Sequence, residues 1–120
     1  MNESQPVYQR IIEVIENDII ARVYDADGLI ISTNQIAKLY SVNPSTAMKA
    51  IAQMTEDGTI YKRPGIGMCV SRGARDRLIE SRRAEFFGPA LDALYSRART
   101  LGVTVEEIAQ SLREREASHD

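Results

Sequence analysis

Ser32-Thr33-Asn34-Gln35-Ile36-Ala37-Lys38-Leu39-Tyr40-Ser41-Val42-Asn43-Pro44-Ser45-Thr46-Ala47-Met48-Lys49-Ala50-Ile51, continued by Glu56-Asp57-Gly58-Thr59-Ile60, reads as helix, tight turn, helix and strand. The hydroxyls of Ser32 and Thr33 can cap the amides that open a short helix over about residues 33 to 40, with Ile36, Leu39 and Tyr40 on one side. Ser41-Val42-Asn43 is too short and polar for anything but a turn, and Asn43-Pro44 is a cap residue followed by proline at the first helical position. At about 100° per residue, Ala47, Ala50, Ile51 and Met54 share one side of the second helix. Ser45 and Lys49 point away, with Thr46, Ala52 and Gln53 on the flanks. One face is core and the other is available for contact.

A small polar face with one lysine, presented by the second helix of such a pair, suits the major groove of double-stranded DNA, where hydroxyl, amide and ammonium groups meet base edges and phosphates. The same geometry also serves simply to pack three helices, and spacing alone does not separate the two readings. The next segment favours nucleic acid. Thr59-Ile60-Tyr61-Lys62-Arg63 and Gly67-Met68-Cys69-Val70-Ser71 are β-prone runs around Pro64-Gly65-Ile66, and Pro64-Gly65 fits the centre of a type II turn. This two-stranded wing is expected to carry Lys62 and Arg63 at its tip, within reach of phosphates, while Gly65 and Gly67 permit close backbone approach.

At these residues the chain resembles GntR-family transcription regulators, and within them the short YtrA-like branch. The resemblance covers roughly the first 73 residues. It rests on Pro6-Val7-Tyr8-Gln9-Arg10-Ile11-Ile12, Ser32 to Ala37, Val42-Asn43-Pro44-Ser45-Thr46 with Lys49-Ala50, and Asp57-Gly58-Thr59-Ile60-Tyr61 with Arg63, Gly65 and Gly67. It implies DNA contacts from Ser32, Thr33, Asn34, Asn43, Ser45, Thr46, Lys49, Lys62, Arg63, Gly65 and Gly67. Tyr8 is a secondary contact through its hydroxyl, or equally an aromatic anchor for the first helix. Three departures from the family pattern stand out. Ala26-Asp27 replaces the usual Pro-Gly, Ile30-Ile31 the usual Leu-Pro, and Asn34 a commonly basic position, so the two-pronged recognition of guanine by arginine is missing there.

Outward from the motif, Pro6 to about Arg22 carries Ile11, Ile12, Ile15 and Ile19 at the spacing of a buried helical stripe, the third wall of a winged-helix core. The whole chain of 120 residues has a formal charge of −2, yet from Lys38 to Arg75 six bases face two acids, a net of +4. That modest patch predicts moderate, salt-sensitive affinity per subunit and a need for two subunits. No run of about 18 apolar residues and no signal-peptide pattern occurs, so no membrane span and a cytoplasmic address are expected. Cys69 is the single cysteine, which excludes an internal disulfide and reads as packing in a wing strand.

Beyond Gly73 the chain becomes helical, with Leu78, Arg82, Phe86, Ala90, Ala93, Leu94, Arg97, Ala98 and Leu101 at helical spacing. Gly88-Pro89 predicts a kink or two helices in series. Leu101-Gly102-Val103 closes the helix, and the capping box Thr104-Val105-Glu106-Glu107 opens another through about Glu116, with Ile108 and Leu112 inward and residues 117–120 frayed. The expected fold is therefore mainly α with a small β-wing. A winged helix-turn-helix DNA-binding domain over residues 1–73 precedes a helical dimerisation and effector segment over 74–120.

Some 45 residues are too few for a well-buried separate core, so the apolar stripe is expected to cover its twin in a homodimer that reads two half-sites. The alternative is a monomer in which these helices cover their own winged helix. Large effector domains of longer relatives cannot fit, so a small-molecule effector would have to bind at the appendage or its dimer interface, where Phe86, Phe87, Leu91, Leu94 and Tyr95 could line a small apolar pocket or else serve simply as core. Such a ligand would bias the relative orientation of the two wings.

No cofactor is implied, and one cysteine with one terminal histidine, His119, supplies neither a transition-metal site nor a catalytic base, so an enzyme is not expected. The competing reading is a dimeric winged-helix adaptor without DNA binding, separable by substituting Lys49 and Arg63, both expected to be exposed. A short dimer can act by occupying a promoter, so a repressor is expected sooner than an activator, and the resemblance suggests a transporter operon as its target.

Overall fold

The computed structural model describes residues 5–119; Met1–Ser4 and the final residue of the expected frayed tail, Asp120, lie outside them. The chain divides into two compact units, Met1–Glu80 and Ser81–Asp120.

In the first unit the element order is α1 (Val7–Ile20), α2 (Thr33–Tyr40), α3 (Pro44–Glu56), β1 (Ile60–Arg63), β2 (Gly67–Val70) and the start of α4 (Ala74–Glu85). The isoleucine stripe of α1 does what its spacing predicts: Ile11, Ile15 and Ile19 are buried and meet Ile36 of α2, Ala47, Ala50 and Met54 of α3, and Ile60 and Val70 of the wing. Ser32 caps α2 through its side chain, which accepts from the Gln35 amide at 3.1 Å, while the Gln35 side chain accepts from the Ser32 amide at 2.7 Å. Thr33 is the first helical residue and takes no part in this box. Leu39 departs from expectation. It is 68% exposed, because the short α2 buries the arc of Ile36, Ala37 and Tyr40, and a residue three positions after Ile36 falls outside it.

Three helices of this unit end alike, with a residue in the left-handed region and an amide reaching back five residues: Val23 to Asp18, Val42 to Ala37 and Thr59 to Met54. Glycine fills the left-handed position once, at Gly58, while Arg22 and Ser41 take it without the glycine that would have advertised it.

The wing is antiparallel, with Ile60 opposite Val70 and Arg63 opposite Gly67. The Ile66 amide bonds the Arg63 carbonyl at 3.0 Å across Pro64-Gly65, and Gly65 has φ of 78°, the type II geometry that the sequence predicts. A third segment joins β2 on its other edge: Leu29 bridges Cys69, and the Ile30 amide bonds the Met68 carbonyl at 3.0 Å. Cys69 is fully buried between these neighbours.

The first unit runs past residue 73 because the start of α4 is fastened to it. Ala74 is buried and Leu78 packs on the core. Arg75 donates to the Ile20 carbonyl at the C-terminus of α1 at 2.9 Å, and Arg77 donates to the Gly58 carbonyl at 3.1 Å.

In the second unit, Pro89 lies inside a π-helical segment, Phe86–Ala90, followed by α5 (Leu91–Leu101) and α6 (Val105–Ser118). The widened turn is how the helix accommodates a proline, whose ring would collide with the carbonyl of a normal preceding turn. Gly102, at φ of 69°, closes α5, and the Thr104–Glu107 capping box opens α6. Two expectations change here. Helix α6 continues to Ser118, two residues past Glu116, and Leu112 is 60% exposed whereas Ile108 is half-buried. Among the described residues no helix is long and apolar enough to cross a membrane.

Candidate nucleic-acid interface

The face of α3 opposite its buried residues carries Ser45, Met48, Lys49 and Ala52, all exposed. Asn43 occupies the cap position with extended backbone, but its side chain makes no capping hydrogen bond; it is exposed at the helix entrance. Proline at the first helical position already removes one of the amides such a cap would serve. Thr46 is half-buried, so of the segment Asn43–Thr46 it is Asn43 and Ser45 that offer polar groups outward.

Lys49 is placed by a residue from another helix. Its ammonium lies 4.3 Å from the centroid of the Tyr8 ring, at the start of α1, a cation–π distance. The structure thus brings together two residues that sequence reading treated separately. It also identifies a job for the half-buried Tyr8 ring that does not depend on its hydroxyl, which accepts from the Gln9 side chain at 3.3 Å.

At the start of α2, Asn34 is exposed and Thr33 half-buried, while the exposed Ser32 is engaged in its capping box. In the wing, Lys62 is exposed, and Gly65 and Gly67 form the turn and the strand start with φ of 78° and 133°. Arg63 is not the exposed cation that the sequence suggested. It is half-buried, and its guanidinium donates to the backbone carbonyl of Asp27 at 3.3 Å, because strand alternation puts it on the same face of the wing as Tyr61.

Asp27, which in the sequence shows only as a departure from the family pattern, fastens the wing. It stands where the family pattern has glycine and keeps a positive φ, 63°. Its carboxylate accepts from the Tyr61 hydroxyl at 2.6 Å and from Arg72 Nε at 2.8 Å. The Tyr61 hydrogen bond, and then Arg72, hold the Asp27 carboxyl below its ordinary value; reciprocally, Asp27 raises the pKa of both Tyr61 and Arg72. One loop residue therefore ties the wing to the segment that leads into α2. The basic patch is correspondingly narrower than its six cations implied, since Arg72 pairs with Asp27 and Arg75 turns to the end of α1. Lys38, Lys49, Lys62 and Arg63 remain on the α2, α3 and wing elements.

Met48 also stands exposed on this face, about 100° round the helix from Ala47, an apolar side chain among polar ones.

In the second unit, Leu91, Leu94 and Tyr95 line a cleft of about 330 Å³ together with Asp92, Val105 and Ile108. Phe86 and Phe87 are not among its walls; they pack edge to face at 5.0 Å from one another.

Residues 7–70 match the model of the gntR family of bacterial regulatory proteins. Over 111 residues, 92% of this chain and 85% of the relative, the sequence is 25% identical to the HTH-type transcriptional repressor YtrA of Bacillus subtilis (strain 168). Among solved structures, a putative transcriptional regulator of the GntR family from Bacteroides thetaiotaomicron superposes with a TM-score of 0.80 at 26% identity, over 95% of this chain and all of that one. BusR of S. agalactiae, solved in complex with its busAB-promotor DNA, shares the fold with a TM-score of 0.56 at 19% identity, over 94% of this chain and 56% of that one. With its winged helix intact and the matched region spanning α1 to the wing, the chain belongs to the GntR family of bacterial regulatory proteins as a YtrA-like, DNA-binding transcription regulator.

Proposed function

We propose that this regulator is a cytoplasmic repressor that acts as a homodimer on a near-palindromic operator. The observation that carries the DNA reading is the exposed face of α3, where Asn43 and Ser45 offer hydrogen-bonding groups and Lys49 is held over the Tyr8 ring. Lys62, Gly65 and Gly67 follow the backbone from the wing, Asn34 and Ser32 add contacts from α2, and Thr33, Thr46 and Arg63 support the surface from half-buried positions. Repression accords with the similarity to YtrA, and promoter binding with the fold shared with BusR.

Dimerisation accords with the second unit, where, among the described residues, Ala98 is the buried hydrophobic residue while Leu91, Leu94, Tyr95, Leu101, Val105 and Leu112 are 43 to 71% exposed. So much apolar surface on about 40 residues calls for a partner, and a second copy satisfies it symmetrically. The cleft lined by Leu91, Leu94 and Tyr95 is then the place for an effector that shifts wing orientation, with Phe86 and Phe87 outside it.

The test is a salt titration of the purified protein on the DNA upstream of its own gene, with a scrambled fragment of equal length as control. Tighter binding to the native fragment at moderate salt, lost on Lys49→Ala or Lys62→Ala without loss of fold, supports the proposal. Equal, weak binding to both fragments that both substitutions leave unchanged favours the adaptor reading.

A further inference from the structure

The recognition helix α3 carries two methionines with opposite fates. Met54 is fully buried in the core, whereas Met48 is 60% exposed on the face that carries Ser45, Lys49 and Ala52. At 100° per residue, Ser45 and Ala52 lie at the centre of the exposed arc, while Met48 and Lys49 stand on its two flanks, about 100° apart. Small side chains along the centre as far as Ala52, ahead of Glu56 in the last turn, let that part of the helix axis approach a groove floor, and a long side chain on each flank reaches sideways. The Lys49 flank is cationic and adjoins α1, where Tyr8 holds the ammonium. The Met48 flank is apolar, unbranched and mobile, and its thioether end can settle against a small apolar group.

A major groove offers one such group on its base edges, the C5 methyl of thymine; every other edge presents hydrogen-bond donors and acceptors. We propose that Met48 is a specificity-determining residue that selects thymine by packing against its C5 methyl, at one position in each half-site. The proposal rests on the DNA-binding reading above. It assigns the two flanks different tasks: Lys49 contributes charge and affinity with little sequence preference, whereas Met48 contributes preference with no charge. A methionine left in water on this face gains from burial only when the base beneath it carries a methyl group. Each such contact removes roughly one methyl group from water, so its loss weakens binding about fourfold per half-site.

The full-length protein, its Met48→Ala variant and its Met48→Leu variant are each used to select duplexes from a pool with a randomised core. Wild type is expected to enrich thymine at a fixed position of each half-site, and Met48→Ala to lose preference at that position alone. On the enriched duplex, uracil replaces thymine there, removing the methyl and nothing else. Wild type and Met48→Leu, which keeps an apolar side chain, should then bind about fourfold more weakly per half-site, while Met48→Ala is indifferent to the replacement. If wild type enriches a sequence but uracil weakens all three proteins equally, or none of them, the assignment of Met48 falls and the DNA reading stands. If wild type enriches no sequence, both fall together. Thermal melts of the variants should match wild type, since Met48 takes no part in the buried core.

Discussion

If the Tyr8 ring positions Lys49, its two ends can be removed separately. Tyr8→Phe deletes the hydroxyl and keeps the aromatic face 4.3 Å from the ammonium; Tyr8→Ala deletes both. A cation–π contact at an exposed site contributes about 0.5–1 kcal/mol, which becomes roughly 2- to 5-fold in affinity per half-site and the square of that for a dimer engaging two. Tyr8 also packs on the core of the first unit, so Tyr8→Ala lowers stability as well. A double-substitution cycle with Lys49→Ala removes that complication, because lost packing appears in both arms and cancels. The assay is fluorescence anisotropy on operator DNA over a salt series. Tyr8→Phe should bind as wild type, Tyr8→Ala should bind more weakly, and Tyr8→Ala placed on Lys49→Ala should cost less than it does on wild type, the difference being the coupling. Lys49→Ala should lower the salt slope by about 0.9 per subunit if the ammonium meets a phosphate. The reasoning is refuted if Tyr8→Phe loses as much as Tyr8→Ala, which would transfer the role to the hydroxyl, or if the two substitutions add without coupling.

Four further outcomes follow from the structure. Asp27 is an acid whose folded pKa is depressed below the ordinary 3.8, so the stability its clamp contributes is complete above the unfolded value and is lost only as pH falls through the lower folded one. NMR signals of the Tyr61 ring should therefore be unchanged from pH 7 to 5 and shift only below the ordinary 3.8 of a free aspartate, and Asp27→Asn should let the raised pKa of Tyr61 fall back toward 10.0. Ser32→Ala removes the α2 capping box at a cost of about 1 kcal/mol, a drop of roughly 4–8 °C in Tm by circular dichroism; an unchanged melt contradicts the cap. Leu94→Glu, which puts a charge on the apolar cleft of the second unit, should convert a dimer to a monomer in sedimentation equilibrium, and a dimer that survives it would place the interface elsewhere.

The amino-acid sequence determined by itself those features whose forces act within a few residues. The isoleucine period of α1, proline at the head of α3, the Pro64-Gly65 turn and the Thr104–Glu107 box are each legible because the groups that bond or pack are at most one or two turns apart. The exposure of Ser45 and Lys49 on α3 follows from the same periodicity.

The tertiary structure alone decided what distant segments do to one another. The Gly28–Ile30 edge that pairs with β2 has no alternation to announce it, and the left-handed Arg22 and Ser41 are sustained by helix-closing bonds without a glycine signal. Leu39, apolar but exposed, shows that a two-turn helix buries a narrower arc than its sequence offers. Asp27 reaches Tyr61 and Arg72 across 34 and 45 positions, and Lys49 finds Tyr8 across the intervening α2. Such pairings depend on where packing of the core leaves the loops and helix starts, and short-range chemistry carries no record of that placement.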